Sequence, residues 1–249
     1  MRIDNFLVIN KYFDSRTKAQ QAISRGEVFV NGTKVAKPSF SVLDDCQIII
    51  KSPLAFVSLG GYKMHKALTT FNFDVKDMVV ADVGASTGGF SDCLLQNGAK
   101  KIYAIDINDQ LLHDKIRNNE RVYPIIKNAR DLTGSDFDEK IDLIVADLSF
   151  ISATYVLPAF SNILDNDKHL ILLIKPQFET GIKKHSKNGI IRDEKLRKSA
   201  CDNVINCADK NGFIPLKITT APNAEDKNVE YLLLLQKSQS KNVKIQEFF

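Results

Sequence analysis

The chain has 249 residues, 44% hydrophobic and 26% charged, a composition that excludes a disordered chain and allows one large globular domain plus a small one. Its net charge of +4 is unevenly spread, because residues 1–50, 51–70 and 183–198 together carry +10, so a polyanionic partner is expected. Cys46, Cys93, Cys201 and Cys207 form no Cys-x-x-Cys pair and His65, His113, His169 and His185 show no metal-ligand spacing, which argues against a metal site and for reduced thiols in the cytoplasm.

At the N-terminus, Arg2, Asp4, Asn5, Asn10 and Lys11 interrupt the apolar residues, unlike a signal peptide. Ile3, Phe6, Leu7 and Tyr12 are spaced for one helix face and Ala19, Ala22 and Ile23 for a second, with Ser15 as N-cap and Gly26 as stop. Alternation then sets in at Val28 and Val30, and Asn31-Gly32 reads as a hairpin turn before Lys34 and Val35. So small a unit buries little surface and is expected to bind rather than catalyse. Arg16 and Lys18 at one end of the second helix and Arg25 at the other lie within reach of phosphates, and Arg2 joins them as an RNA-contact candidate. This order of elements resembles the S-four-type (αL) RNA-binding domain, a small α+β fold, over residues 1–50, with 51–59 as linker.

Beyond the linker, strand-like runs at 78–83, 101–106, 122–126, 141–146, 169–174, 213–220 and 229–235 alternate with helical ones, the pattern of a mostly parallel sheet covered by helices. Only residues 221–228 separate the last two, so they are expected to pair antiparallel at an edge. The first strand, Val79 to Val83 with Asp82 inside it, breaks into Gly84-Ala85-Ser86-Thr87-Gly88-Gly89-Phe90, a small-residue loop opening a helix where α/β sheets bind cofactors. A dinucleotide fingerprint wants glycine where Ser86 stands, which weakens a pyrophosphate reading. Asp106 ends the next strand, in place for a ribose diol, a contact that NAD would share. Asn128-Ala129 follows the third strand, and Asn128 offers the donor and acceptor of an adenine edge, although turn chemistry is the commoner use of such a residue.

Two further strands end on Asp147 and Lys175, at the edge where ligands bind. A lysine directly after an apolar strand is costly unless paired or functional. Glu230 opens the last strand, and Lys63 lies ahead of the first. These four match the Lys-Asp-Lys-Glu tetrad of FtsJ-like ribose 2′-O-methyltransferases. With the motifs GASTGGF, ADLSF, KPQFE and NVEY, the chain is similar over about residues 2–236 to the TlyA (hemolysin A) family of rRNA methyltransferases. It departs from the family at Leu59, where members tend to have arginine.

The resemblance implies an α/β, Rossmann-like S-adenosylmethionine-dependent methyltransferase sheet with an antiparallel last strand over residues 60–238, then a basic tail at 239–249. It implies S-adenosylmethionine as cofactor, held by Asp82, Gly84 to Phe90, Asp106, Asn128, Ala129 and Asp147. The tetrad Lys63, Asp147, Lys175 and Glu230 would be catalytic, Lys175 deprotonating or aligning the hydroxyl and the two carboxylates orienting the amines. Lys66, Lys183, Lys184, Lys187 and Arg192 would hold RNA backbone. The implied partner is ribosomal RNA or a ribosomal subunit, and the implied target a cytidine. Members acting on both subunits tend to carry more basic residues before the first helix, whereas this chain starts at Met1-Arg2, so the large subunit is favoured. A non-catalytic ribosome-assembly factor is the alternative. The family's older name adds a membrane-lytic one, which the short apolar runs around Ile171 and Leu232 oppose.

Overall fold

The computed structural model describes residues 1–24, 26–50, 55–180, 189–222 and 227–238, in two compact units, Met1–Ala55 and Phe56–Phe249. Arg25, Lys183, Lys184, Lys187 and the tail 239–249 lie outside the described residues.

In the first unit, α1 (Ile3–Ile9) and α2 (Arg16–Ser24) precede β1 (Val28–Val30), β2 (Thr33–Lys34) and β3 (Ile48–Ile50), an antiparallel sheet in the order β2-β1-β3. Ile3, Phe6, Leu7, Ala19, Ala22, Ile23, Val28 and Val30 share one core, as their spacing requires. Ser15 Oγ accepts the Lys18 N–H at 3.3 Å, which caps α2. Asn31 and Gly32 both take positive φ (49° and 79°), the turn whose twist matches that of the flanking strands. Tyr12 does not join the helix face: α1 stops at Ile9, Lys11 turns left-handed at φ 59° and Tyr12 is exposed. The run Ile48–Ile50 supplies a third strand that alternation could not reveal.

The second unit opens with α3 (Leu59–Phe71), and then strands and helices alternate: β4 (Val79–Val83), α4 (Gly89–Gln96), β5 (Lys101–Asp106), α5 (Asp114–Arg117), β6 (Val122–Ile126), β7 (Leu143–Ala146), α6 (Leu157–Ile163), β8 (His169–Ile174), α7 (Pro176–Glu179), α8 (Glu194–Lys210), β9 (Phe213–Thr220) and β10 (Tyr231–Lys237). The sheet order is β6-β5-β4-β7-β8-β10-β9, parallel from β6 to β8. Alternate residues feed two cores: Val79, Ala81 and Val83 pack on one face with Leu170, Leu172 and Ile174, and Val80 on the other with Ile171 and Leu173. Strands buried on both faces therefore read as continuous apolar runs. The last strand is antiparallel but not outermost, since β10 inserts between β8 and β9. Both edges carry proline, Pro124 on β6 and Pro215 on β9, where a missing N–H costs no ladder bond. Phe56 to Leu59, expected in the linker, belong to this unit: the Val57 N–H donates to Asp92 Oδ2 at 2.7 Å, and the Phe56 ring meets Tyr62 edge-on.

Candidate active site

After β4 the chain runs outward to β5 and β6, then returns to β7 on the other side, so the strand order reverses at the C-terminal ends of β4 and β7. A crevice opens at such a point. Here it is a cavity of about 430 Å³ lined by the residues that follow four strands: Gly84 and Ser86 after β4, Asp106 and Ile107 at the end of β5, Asn128 to Arg130 after β6, and Asp147 to Ile151 after β7.

Gly84, Ser86, Asp106, Asn128, Ala129 and Asp147, all expected at the cofactor, line this cavity. Gly84 has φ 82°, and a Cβ there would lie 2.5 Å from the Asp147 carbonyl oxygen, so glycine lets the β4 and β7 loops touch. Ser86 is left-handed without being glycine (φ 49°), and its N–H donates to Asp106 Oδ2 at 2.8 Å. Asn128 Oδ1 accepts the Arg130 N–H at 3.0 Å, which is turn chemistry, so its side-chain acceptor is already engaged.

Other members of the expected set stand behind the wall. Asp82 is 0% exposed and braces β4 to α4, its Oδ2 accepting from Ser91 N and Oγ while Oδ1 is buried with no partner. Burial pushes its carboxyl up to about 7, helped by the charges of Asp147 and Asp106 and opposed by the Ser91 bonds. Ala85, Gly88, Gly89 and Phe90 are buried. A Cβ on Gly88 would meet Leu112 and Ile116, and one on Gly89 would meet Ser58 and Gly61 at the start of α3. Thr87 is exposed, and its carbonyl accepts the His113 N–H at 3.2 Å.

The four tetrad residues form two ion pairs. Lys175 Nζ lies 2.6 Å from Asp147 Oδ1, and Lys63 Nζ 2.6 Å from Glu230 Oε2. Tyr231 pairs with Ile174 in the β10–β8 register, so Glu230 and Lys175 leave adjacent strands at one edge. Lys63 comes from the first turns of α3. Asp147 Oδ1 faces a charge but no aligned donor, whereas Lys175 Nζ donates to Ser149 Oγ at 2.8 Å.

Sequence reasoning passed over Ser149 and Phe150. Phe150 is 88% exposed at φ 68° on the cavity wall, its ring 5.4 Å from that of Phe178. A bulky residue so placed is strained, and its signal in the sequence was only an aromatic in the loop four residues beyond the end of β7. Glu179 fastens the same loop from α7, accepting from Ser152 Oγ at 2.5 Å and Ala153 N at 2.9 Å.

Among the RNA-contact candidates, Arg2 and Arg16 converge on one buried carboxylate. Asp4 accepts from Arg2 Nε and Nη2 at 3.0 Å each, Arg16 Nε at 2.9 Å and Gln20 Nε2 at 2.8 Å. The bonds from Arg2, ahead of those from Gln20 and Arg16, hold the Asp4 carboxyl well below the usual range, against the cost of burial. Both guanidiniums stay about half exposed. Lys18 pairs with Asp14, and Lys66 and Arg192 are exposed. No helix among the described residues is long and apolar enough to cross a membrane, and no group of three or more metal-ligating side chains is found among them.

Residues 56–237 match the FtsJ-like methyltransferase family and residues 1–46 the S4 domain. Hemolysin A of Brachyspira hyodysenteriae is 41% identical over 93% of this chain and 98% of its own length. The 16S/23S rRNA (cytidine-2′-O)-methyltransferase TlyA of Mycobacterium tuberculosis is 36% identical over 94% and 89%. The 23S rRNA (cytidine-2′-O)-methyltransferase TlyA of Campylobacter jejuni is 33% identical over 93% and 97%. A solved structure described as a hemolysin from Streptococcus thermophilus superposes with TM-score 0.76 at 35% identity, covering 96% of this chain and 89% of that one.

Proposed function

The chain belongs to the TlyA (hemolysin A) type of FtsJ-like methyltransferase, and from that premise we propose that it transfers a methyl group to the ribose 2′-hydroxyl of a cytidine in ribosomal RNA, with the large-subunit RNA as main target. The fold implies S-adenosylmethionine as methyl donor. The observation that carries the proposal is the tetrad: two ion pairs at the sheet edge, one of them, through Asp147, on the wall of the cavity. A dinucleotide-binding protein has no need of two lysines and two carboxylates there.

The cavity suits an adenosine. Asp106, fixed by the Ser86 N–H, can take a ribose diol, while Ile107, Leu111 and Ala129 offer an apolar wall to a base. S-adenosylmethionine bound there supplies a methyl on a sulfonium, an electrophile that needs no further activation. The work left to the protein is on the nucleophile, since a ribose hydroxyl attacks poorly until its proton is removed and its oxygen is held in line. Lys175, buried and held by Asp147 and Ser149, has the fixed position this requires. Lys63 and Glu230 complete the edge on the β10 side. Phe150 presents an exposed ring on the lip, a stacking face for the target base.

The N-terminal unit, matching an S4 domain, supplies RNA affinity in this reading. The names of the M. tuberculosis and C. jejuni relatives differ in whether 16S RNA is included, so the test takes both subunits. Purified protein is incubated with labelled S-adenosylmethionine and each unmethylated subunit or its naked RNA, and the modified nucleotide is mapped. Label on a cytidine 2′-oxygen of the large-subunit RNA is expected, absent with Lys175→Ala while RNA binding persists. No transfer to either subunit or RNA would leave the non-catalytic assembly factor.

A further inference from the structure

Lys175 is only 8% exposed and does not line the cavity, whereas Ser149 is exposed and does. Between them lies one hydrogen bond, Lys175 Nζ to Ser149 Oγ at 2.8 Å. Among the described residues, the amine's other recorded contacts, Asp147 at 2.6 Å and the Phe178 ring at 5.9 Å, are not hydroxyl groups. The loop around Ser149 is held on both sides. Asp147 is tied to Lys175 before it, and Ser152 and Ala153 are tied to Glu179 after it, with the left-handed Phe150 absorbing the bend. A surface serine of no consequence does not need a strained neighbour and a carboxylate clamp.

We propose that Ser149 is a catalytic residue, its hydroxyl standing between the cavity and the Lys175 amine and relaying the proton of the ribose 2′-hydroxyl from one to the other. The inference rests on the methyltransferase reading above. As O2′ forms its bond to the methyl carbon, the carbon–sulfur bond breaks and its electron pair goes to sulfur. The O2′ proton passes to Ser149 Oγ while the Ser149 proton passes to the Lys175 amine, which has first released a proton to solvent, so that the Lys175–Ser149 bond runs from hydroxyl to amine during transfer instead of from ammonium to hydroxyl. The products are the 2′-O-methyl ribose, the thioether and a Lys175 ammonium, which returns its proton to solvent before the next turnover.

Single-turnover methyl transfer to unmethylated large-subunit RNA, measured in mixtures of water and deuterium oxide, tests this with wild type, Ser149→Ala, Ser149→Thr and Lys175→Ala. Removing a positioned proton carrier should slow Ser149→Ala by about 100-fold or more, with S-adenosylmethionine and RNA affinities unchanged, and Ser149→Thr should restore most of the rate. The wild-type rate should bow downward with deuterium fraction, as for two protons in flight, and any residual Ser149→Ala rate should fall linearly. A Ser149→Ala rate within about three-fold of wild type, where a positioned acid–base group is worth far more, would overturn the relay. A loss that Ser149→Thr fails to restore, with the isotope profile unaltered, would overturn it as well. Lys175→Ala separates the two levels: if it keeps full rate the methyltransferase reading of Lys175 fails, and if it is dead while Ser149→Ala is active only the relay fails.

Discussion

Gly84 and Phe150 show how the cavity depends on single backbone conformations. Gly84→Ala would put a Cβ 2.5 Å from the Asp147 carbonyl at a φ of 82°. The left-handed conformation alone costs about 1–2 kcal/mol for a residue with a Cβ, and the clash must in addition push the β7 loop away. Calorimetry should therefore find S-adenosylmethionine affinity reduced by about ten-fold or more, and an unchanged affinity would show that the loops need not touch. Phe150→Ala keeps the charge pattern and removes the stacking face. If the ring supports the target base, worth about 1–3 kcal/mol, the KM for RNA rises at least about five-fold while S-adenosylmethionine affinity holds. Asp147, Lys175 and Glu230 were legible in the sequence because charged residues at the ends of apolar strands are conspicuous. Ser149 and Phe150 were not, since a serine and a phenylalanine after a strand look like any loop until an amine and a positive φ are seen beside them.

Between elements, two buried carboxylates act as braces with opposite pH signatures. Asp82 ties β4 to α4 with a carboxyl raised from 3.8 to about 7. The folded state thus holds a proton that the unfolded chain has released, so its stabilising contribution is complete below about pH 4 and is lost as pH rises to about 7. Urea unfolding of wild type against Asp82→Asn from pH 4 to 8 should show wild type losing, relative to the variant, on the order of 4 kcal/mol; a constant difference would refute the shift. Asp4 joins α1 to α2 with a carboxyl held low by Arg2, Gln20 and Arg16, so its contribution is present above the ordinary aspartate range and lost only as pH falls below it. Amide exchange in α1 and α2 should be faster in Asp4→Asn than in wild type at pH 7, the gap closing in strong acid. The strands β4, β5, β7 and β8 were legible because buried parallel strands are continuous apolar runs bounded by turn residues. The place of β10 was not, for nothing in its residues tells an inserted strand from an outer one, and β3, three isoleucines with no alternation, carried no signal of its own.

Over the whole chain, charge and chemistry divide between the two units. Residues 1–55 hold eight basic and five acidic side chains, and the other 194 residues hold 26 and 25, so the small unit is much the more cationic for its size. Every residue lining the cavity and all four tetrad residues lie in the larger unit, which has its own cores on both faces of the sheet. Chemistry and RNA capture should therefore separate on truncation. A chain of residues 56–249 is expected to bind S-adenosylmethionine as tightly as the full protein, because no lining residue has been removed. Its RNA affinity should fall by about 100-fold, the loss typical of removing one of two linked binding modules, and its salt dependence should flatten because fewer phosphates are neutralised. Methyl transfer at saturating RNA should then approach that of the full protein, with the deficit in KM. Filter binding across a salt series and single-turnover rates across an RNA series distinguish the outcomes: a lost saturating rate with RNA affinity intact would mean that the N-terminal unit shapes the catalytic edge rather than delivering RNA to it.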